Sequence, residues 1–270
     1  MGITTQEELL RDLGPGDRAD VVARFHDFAS VPQQRLEDLA QHHALQEDWG
    51  RELYVLRKYL AVHVPWAVEQ ARFTTSQNQF YVSAGFLQTR YGTPIFLAFE
   101  QNQFATPPWF LRAATPNMAA PELPVPPDIP LPPAIPKGAE IVMAHDHIVG
   151  ENGDRVAFLK RTPLVAQICA IAGAIQWSLN RGLQIPHWYF GRMNYVVPIY
   201  LQSRENITQM PDLVAPVQVN PNSLLVRTAL VPHMPYANCR VAVERQDRLP
   251  AWLLDTWGQH SDLEQIEERP

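Results

Sequence analysis

Hydrophobic residues in the first quarter of the chain recur at helical spacing. Leu36, Leu39 and Ala40 lie three and four positions apart with polar residues around them, which predicts a helix within residues 32–47. A longer apolar stripe predicts a second helix from residue 51 to about residue 73. Pro65 falls inside that stripe, so a kink is expected there.

Short runs rich in β-branched and aromatic residues follow these helices. Residues 80–82 and 95–99, separated by a turn at 91–94, predict a β-hairpin. The apolar run 163–181 predicts a central buried helix. Further strands are predicted at 140–149, 195–201, 213–219 and 224–231, and a short terminal helix at 252–257. This order predicts an α+β fold, in which N-terminal helices pack on a largely antiparallel sheet with one buried central helix.

A proline-rich segment interrupts the strand pattern. Eleven of the thirty residues from 107 to 136 are proline, which cannot donate to a β-ladder and favours extended polyproline conformations. We interpret the segment as an arm on the surface of one domain; a ligand for a proline-recognition module and a domain linker are the alternatives. The predicted organisation is an N-terminal extension at 1–23, a single domain at 24–257 and an acidic tail at 258–270.

Composition narrows the class of protein. The chain is 46% hydrophobic and 19% charged, which suffices for a sizeable core. Its net charge of −6 lacks the basic excess of a protein that grips long nucleic acids by phosphate contacts alone. The two cysteines and the polar N-terminus predict a cytoplasmic protein without a signal peptide. The apolar run 163–179 contains two glutamines, so we expect no membrane partner.

Several stretches together resemble one known family. The likeness is carried by the segments 36–49, 80–86, 95–100, 193–200, 211–213, 235–240 and 252–253. Segment 193–200 has the pattern Asn-Tyr-x-x-x-Pro-x-Tyr, and segment 235–240 reads Pro-Tyr-Ala-Asn-Cys-Arg. Their order and spacing, from about residue 24 to 257, resemble the bacterial domain-of-unknown-function 3825 family. Ser83 and Ala84 stand where that family usually has Asn and Thr. Its members are often joined to cold-shock or other predicted RNA-binding domains, so the resemblance implies an RNA context.

One candidate for acid–base chemistry is the segment from His145 to His147. At the end of a strand, alternation would place these two histidines on one face and Asp146 on the other. A metal would need a third ligand such as Glu151 or Asp154, and a solvated strand end is the plainer interpretation. We predict no metal and assign His147 as the candidate general base or acid, because histidine is readily tuned near neutral pH.

A second candidate is a set of amide, phenol and guanidinium groups. If residues 235–243 form a helix, Tyr236 and Arg240 share a face and Asn238 points elsewhere; in a strand all three share a face. A base stacked on tyrosine and an anion held by arginine would suit the set. The alternative is an arginine that caps carbonyls at the core edge. The predicted ligand-binding residues are Arg155, Asn194, Tyr236, Asn238 and Arg240.

We therefore predict a nucleotide- or RNA-directed protein that binds or processes its ligand through this Tyr/Asn/Arg pocket. A small-molecule or peptide-tailoring enzyme with an aromatic-lined pocket, and a non-catalytic interaction protein, are the alternatives. The sequence contains no glycine-rich phosphate loop and no Gly-x-Ser-x-Gly elbow. It identifies no cofactor and no oligomeric state, and does not separate an enzyme from a binding protein.

Overall fold

Two five-stranded sheets organise the chain, each in its own compact unit. The computed structural model describes residues 4–14, 20–102, 106–146, 148 and 162–262. One unit comprises Met1–Ile129 with Glu244–Gln246, and the other comprises Pro130–Val243 with Asp247–Pro270. The α+β class and the mostly antiparallel pairing are confirmed, but the strands form two sheets where one was predicted. The assignment of residues 24–257 to a single domain stays a prediction.

Helices dominate the start of the first unit. Their bounds are Gln6–Leu13 (α1), Val21–Phe28 (α2), Gln33–Asp38 (α3) and Tyr54–Glu69 (α4). A π-helical turn, Leu39–His43, continues α3, and α4 runs through Pro65, so both predicted helices are confirmed. The segment expected as an extension contains α1, which begins with a capping box between Thr5 and Glu8. Its side chains Leu9 and Leu13 are buried.

The sheet of the first unit has the order β1-β5-β4-β3-β2. Its strands are Ala29–Ser30 (β1), Thr74–Ser76 (β2), Gln79–Gln88 (β3), Pro94–Gln101 (β4) and Trp109–Thr115 (β5). The predicted hairpin is confirmed, since β3 pairs antiparallel with β4. Aromatic rings fill the core: Phe80 stacks on Phe99 with ring centroids 4.8 Å apart, and Trp109 meets Phe80 edge-on at 4.8 Å.

Strand β5 corrects the extent of the proline-rich arm. The arm was predicted to begin at residue 107, yet residues 109–115 form a strand with six paired positions against β4 and a bulge at Arg112. The physical reason is local, because this stretch contains no proline and keeps every backbone N–H donor. The arm without helix or strand therefore runs from residue 116 to residue 139.

The sheet of the second unit has the order β6-β10-β9-β8-β7. Its strands are Glu140–Met143 (β6), Ile185–Tyr189 (β7), Arg192–Ile199 (β8), Leu213–Val219 (β9) and Ser223–Val226 (β10). Among its described strands, β6 pairs with β10 in parallel and the other neighbours pair antiparallel. The predicted strands near 195, 213 and 224 are confirmed, and β7 was not predicted.

One long helix and two short ones complete the second unit. Helix α5, Leu164–Leu179, buries Ile171, Ala174 and Ile175 in an apolar cluster with side chains of β8, β9 and β10. Its other side is open, with Val165 70% exposed. Helix α6, Tyr236–Arg240, packs against β7 and against α7, Ala251–His260. Among the described helices, none has the length and hydropathy to cross a bilayer.

Candidate functional site

The segment 235–243 is helical at its centre. Tyr236 and Arg240 lie one helical turn apart in α6, as the helical alternative predicted. All five residues of α6 are buried, Asn238 among them. Tyr236, Asn238 and Arg240 therefore lie in the interior of the second unit, whereas Asn194 is half-buried.

The ring of Tyr236 is engaged within the protein. It is fully buried and stacks on Trp257 of α7, with ring centroids 4.5 Å apart and planes within 5° of parallel. Parallel aromatic pairs of this kind add roughly 0.5–1.5 kcal/mol beyond their buried area. One face of the ring therefore serves the α6–α7 contact.

Arg240 makes a bond of the kind expected for a structural arginine. Its side chain is 1% exposed, and Nη1 donates to the Val243 carbonyl at 3.2 Å. That carbonyl follows the C-terminus of α6, where helical carbonyls lack intrahelical partners. A buried guanidinium needs such acceptors because desolvation of its charge is costly.

Asn238 differs from its two neighbours. It is 3% exposed, and its Oδ1 has no hydrogen-bond partner among the described residues. Asn194, on β8, lies opposite His187 of β7, and its Oδ1 accepts from the Val219 N–H at 3.4 Å. The fold thus brings Tyr236, Asn238 and Arg240 into one short helix and places Asn194 in the neighbouring sheet.

The histidine segment does not end a strand. Strand β6 stops at Met143, and the Ile148 N–H donates to the Ala144 carbonyl at 3.1 Å, which closes a helical turn. The predicted strand 140–149 is confirmed for Glu140–Met143 and is wrong at residues 145 and 146, because the chain leaves the ladder and turns there. His145 Nδ1 lies 3.4 Å from Asp146 Oδ1. His147 and Arg155 lie outside the described residues.

No group of metal-ligating side chains occurs within the described ranges. The prediction that no metal is bound stays a prediction.

A surface at the C-terminus of α5 was not predicted. Of the seven tryptophans, all of them in described ranges, six are buried and Trp177 is the exception. The Cζ of Arg181 lies 3.9 Å from the centroid of the Trp177 ring, and the Cζ of Arg204 lies 5.2 Å from it. Both arginines are exposed, so one indole carries two guanidinium groups at the surface.

Neither arginine has a carboxylate partner among the described residues. Arg181 Nη1 donates to the Trp177 carbonyl at 3.2 Å, and Arg204 Nε donates to the Tyr200 carbonyl at 3.0 Å. These bonds fix both side chains and leave their positive charge uncompensated by an ion pair. We call Trp177, Arg181 and Arg204 the indole–arginine surface.

Arg204 lies in the loop of residues 201–212, which is held by hydrogen bonds within it. Oδ2 of Asp212 accepts from the Leu201 N–H at 2.6 Å and from the Gln202 N–H at 3.0 Å, which joins the two ends of the loop. Tyr200 OH donates to the Ile207 carbonyl at 2.9 Å. Burial raises the pKa of Tyr200, so its hydroxyl stays protonated and remains a donor.

Part of this surface could have been predicted from the sequence. Trp177 and Arg181 are four residues apart at the end of a predicted helix and so share a face. Arg204 could not be added from sequence, because its position depends on the loop bonds of Asp212 and Tyr200.

The fold and this surface define an α+β protein that presents an aromatic ring with two cations. No family model matches the chain, and no curated protein or solved structure matches it either. The resemblance to the domain-of-unknown-function 3825 family therefore stays a prediction.

Proposed function

We propose that the protein binds unpaired nucleotides, in single-stranded RNA or as free nucleotide, on the indole–arginine surface. The observation that carries the proposal is the pair of exposed guanidinium groups over the half-buried Trp177, neither of which has a carboxylate partner among the described residues. Bases stack on aromatic rings and on guanidinium planes, and arginine pairs with phosphate in two parallel bonds.

The charge distribution favours a short ligand. The chain carries a net charge of −6, so the whole protein does not attract a long polyanion. Two unpaired arginines at one place provide a local attraction for one or two phosphates. Stacking on Trp177 then supplies the part of the affinity that does not depend on salt.

In this proposal, the residues predicted from sequence as the ligand site do not contact the ligand. Tyr236 and Arg240 hold α6 against its neighbours, through the ring stack with Trp257 and the bond to the Val243 carbonyl. The predicted roles of His147 as base or acid, and of Arg155 as an anion holder, are not needed for binding. The proposal therefore concerns recognition of the ligand and includes no chemical step.

The test is a titration of the full chain with a fluorescently labelled oligoadenylate of about eight nucleotides, a typical site size for single-strand binding. Trp177→Ala is expected to weaken binding roughly 5- to 150-fold, since stacking contributes about 1–3 kcal/mol per base. Arg181→Ala and Arg204→Ala should each lower the slope of log affinity against log salt by about 0.7. AMP should compete for the same site.

Arg192→Ala is the matched control. Arg192 is exposed, begins β8 and also lacks a carboxylate partner among the described residues. Arg192 lies seven positions before Ile199, which is roughly 23 Å along β8. Trp177 contacts Tyr200, the residue that follows Ile199, so Arg192 lies at the opposite end of the strand from the indole–arginine surface. Its removal should leave affinity and salt slope unchanged. Equal affinity of Trp177→Ala and the parent protein, with both folded by circular dichroism, would refute the proposal.

A further inference from the structure

The loop of residues 201–212 has little packing of its own. Every residue from Gln202 to Met210 is exposed, so no buried side chain in this stretch ties it to the core. Loops with few buried contacts open easily unless hydrogen bonds hold them. Arg204, one of the two cations of the indole–arginine surface, belongs to this exposed stretch. Its position over Trp177 therefore depends on the bonds at the base of the loop.

Asp212 joins the two ends of the loop. Besides the two backbone N–H groups that bond Oδ2, Gln202 Nε2 donates to Oδ1 at 2.6 Å, so one carboxylate accepts from three N–H groups of Leu201 and Gln202. The Asp212 N–H donates to the Ile199 carbonyl at 3.0 Å, which ties the residue to the end of β8. Hydrogen bonds to an ionised group are roughly twice as strong as neutral ones. The carboxylate therefore fixes the chain two residues before Arg204.

The hydroxyl of Tyr200 holds the far side of the loop. It donates to the Ile207 carbonyl at 2.9 Å and lies 3.2 Å from the Gln209 carbonyl oxygen. Tyr200 is 2% exposed, and its ring meets Trp177 edge-on with centroids 5.9 Å apart. Its backbone carbonyl accepts from Arg204 Nε at 3.0 Å. One buried residue therefore contacts the loop, the indole and the arginine.

We propose that Asp212 is a positioning residue for the nucleotide site, and that this carboxylate strengthens the binding of an anionic ligand. The inference rests on the proposed function of the indole–arginine surface. By charge alone, a carboxylate near a phosphate site weakens binding, because like charges repel. The bonds to Leu201 and Gln202 act in the opposite direction, since they hold Arg204 in place before the ligand arrives and so reduce the entropy lost on binding. Three N–H donors already offset the Asp212 charge, so the second effect is the larger one.

The experiment measures binding of the labelled oligoadenylate to full-chain variants at several salt concentrations. Arg204→Ala is expected to weaken binding roughly tenfold, since a bond to a charged group is lost. Asp212→Ala should weaken it by a similar factor and lower the salt slope by about 0.7, although this change removes a negative charge. In the Arg204→Ala background, Asp212→Ala should change the affinity by less than about twofold, because its effect acts through Arg204.

Glu205→Ala is the matched control for the removed charge. Glu205 follows Arg204 and is exposed, and among the described residues its backbone N–H alone is bonded, to Ser203 Oγ at 3.4 Å. Its removal should leave binding unchanged or tighten it by up to about twofold. Asp212→Asn keeps an acceptor oxygen without the charge, so it should recover most of the affinity that Asp212→Ala loses.

Tyr200→Phe loosens the loop without changing any charge, and it replaces Asp212→Ala if circular dichroism shows that variant to be unfolded. It should weaken binding roughly threefold in the parent protein and leave the Arg204→Ala protein unchanged. The proposal is overturned if the loop variant binds as tightly as the parent, or if it weakens the Arg204→Ala protein by the same factor as the parent. If Trp177→Ala still weakens binding, either result refutes this inference alone; if Trp177→Ala binds like the parent, the proposed function itself fails.

Discussion

Gly85 is the position where a single methyl group should be most damaging. It lies on β3 with φ +60°, in the left-handed region that glycine tolerates and other residues rarely adopt. A Cβ at this position would lie 2.5 Å from the hydroxyl oxygen of Tyr59 and 2.8 Å from Nδ1 of His63. Both rings are fully buried on α4 and stack on each other with centroids 4.0 Å apart. Neither ring therefore has room to move aside.

The cost of Gly85→Ala has two parts. A positive φ costs a non-glycine residue about 1–2 kcal/mol. Overpacking of a filled core adds about 1–3 kcal/mol. The Tyr59 hydroxyl accepts from the Phe86 N–H at 2.8 Å, so its retreat would also break a buried hydrogen bond. We expect a loss of about 2–5 kcal/mol in the free energy of unfolding, a large share of the roughly 5–15 kcal/mol of a typical protein.

Gly92→Ala separates the two parts. Gly92 has φ +78° in the turn between β3 and β4, and its nearest neighbour for an added Cβ is the end of Gln88, at 3.7 Å. This variant pays the backbone strain alone, about 1–2 kcal/mol. The free energy of unfolding of both variants is measured by urea unfolding followed by circular dichroism. The reasoning is refuted if Gly85→Ala is no more destabilising than Gly92→Ala. Tyr59→Phe, which removes the overlapping oxygen, should cost less in the Gly85→Ala background than in the parent.

Two further predictions concern buried charge and pH. Arg24 is 6% exposed, and it donates from Nε to the Leu13 carbonyl at 3.1 Å and from Nη2 to the Gly14 carbonyl at 3.0 Å. Arg24→Met should therefore destabilise the first unit by about 1–3 kcal/mol, measured by urea unfolding. An unchanged unfolding midpoint would contradict this prediction. Burial, and then the charge of the stacked His260, lower the pKa of His233 below its usual 6.5. The unfolded chain then binds the proton more readily, so stability is complete above about pH 6.5 and declines as the pH falls toward the folded pKa. His233→Gln should flatten that decline in melting temperature, and an equal slope in both proteins would contradict the assignment.

Local patterns predicted the helices near residues 32–47, 51–73, 163–181 and 252–257 and the hairpin of β3 with β4. They did not predict α1, α2 or the pairing of distant strands. The stripes at 32–47 and 51–73 and the hairpin of β3 with β4 all depend on residues close in sequence. The division into two sheets depends on parallel pairs between distant segments, β1 with β5 and β6 with β10. Strand β1 is two residues long, too short to show any periodicity.

The predicted site and the indole–arginine surface differ in whether their arginines are buried and bonded within the fold or exposed to solvent. Arg240, in the interior, donates to the Val243 carbonyl, and Tyr236 has an aromatic neighbour in Trp257. Residue type suggested a ligand for this set, but burial requires that such groups be satisfied from within the fold. Arg181 and Arg204 are solvated, so the fold tolerates them without an ion pair. Their convergence on one half-buried indole is not required by burial, and it is therefore the observation on which the proposed nucleotide site depends.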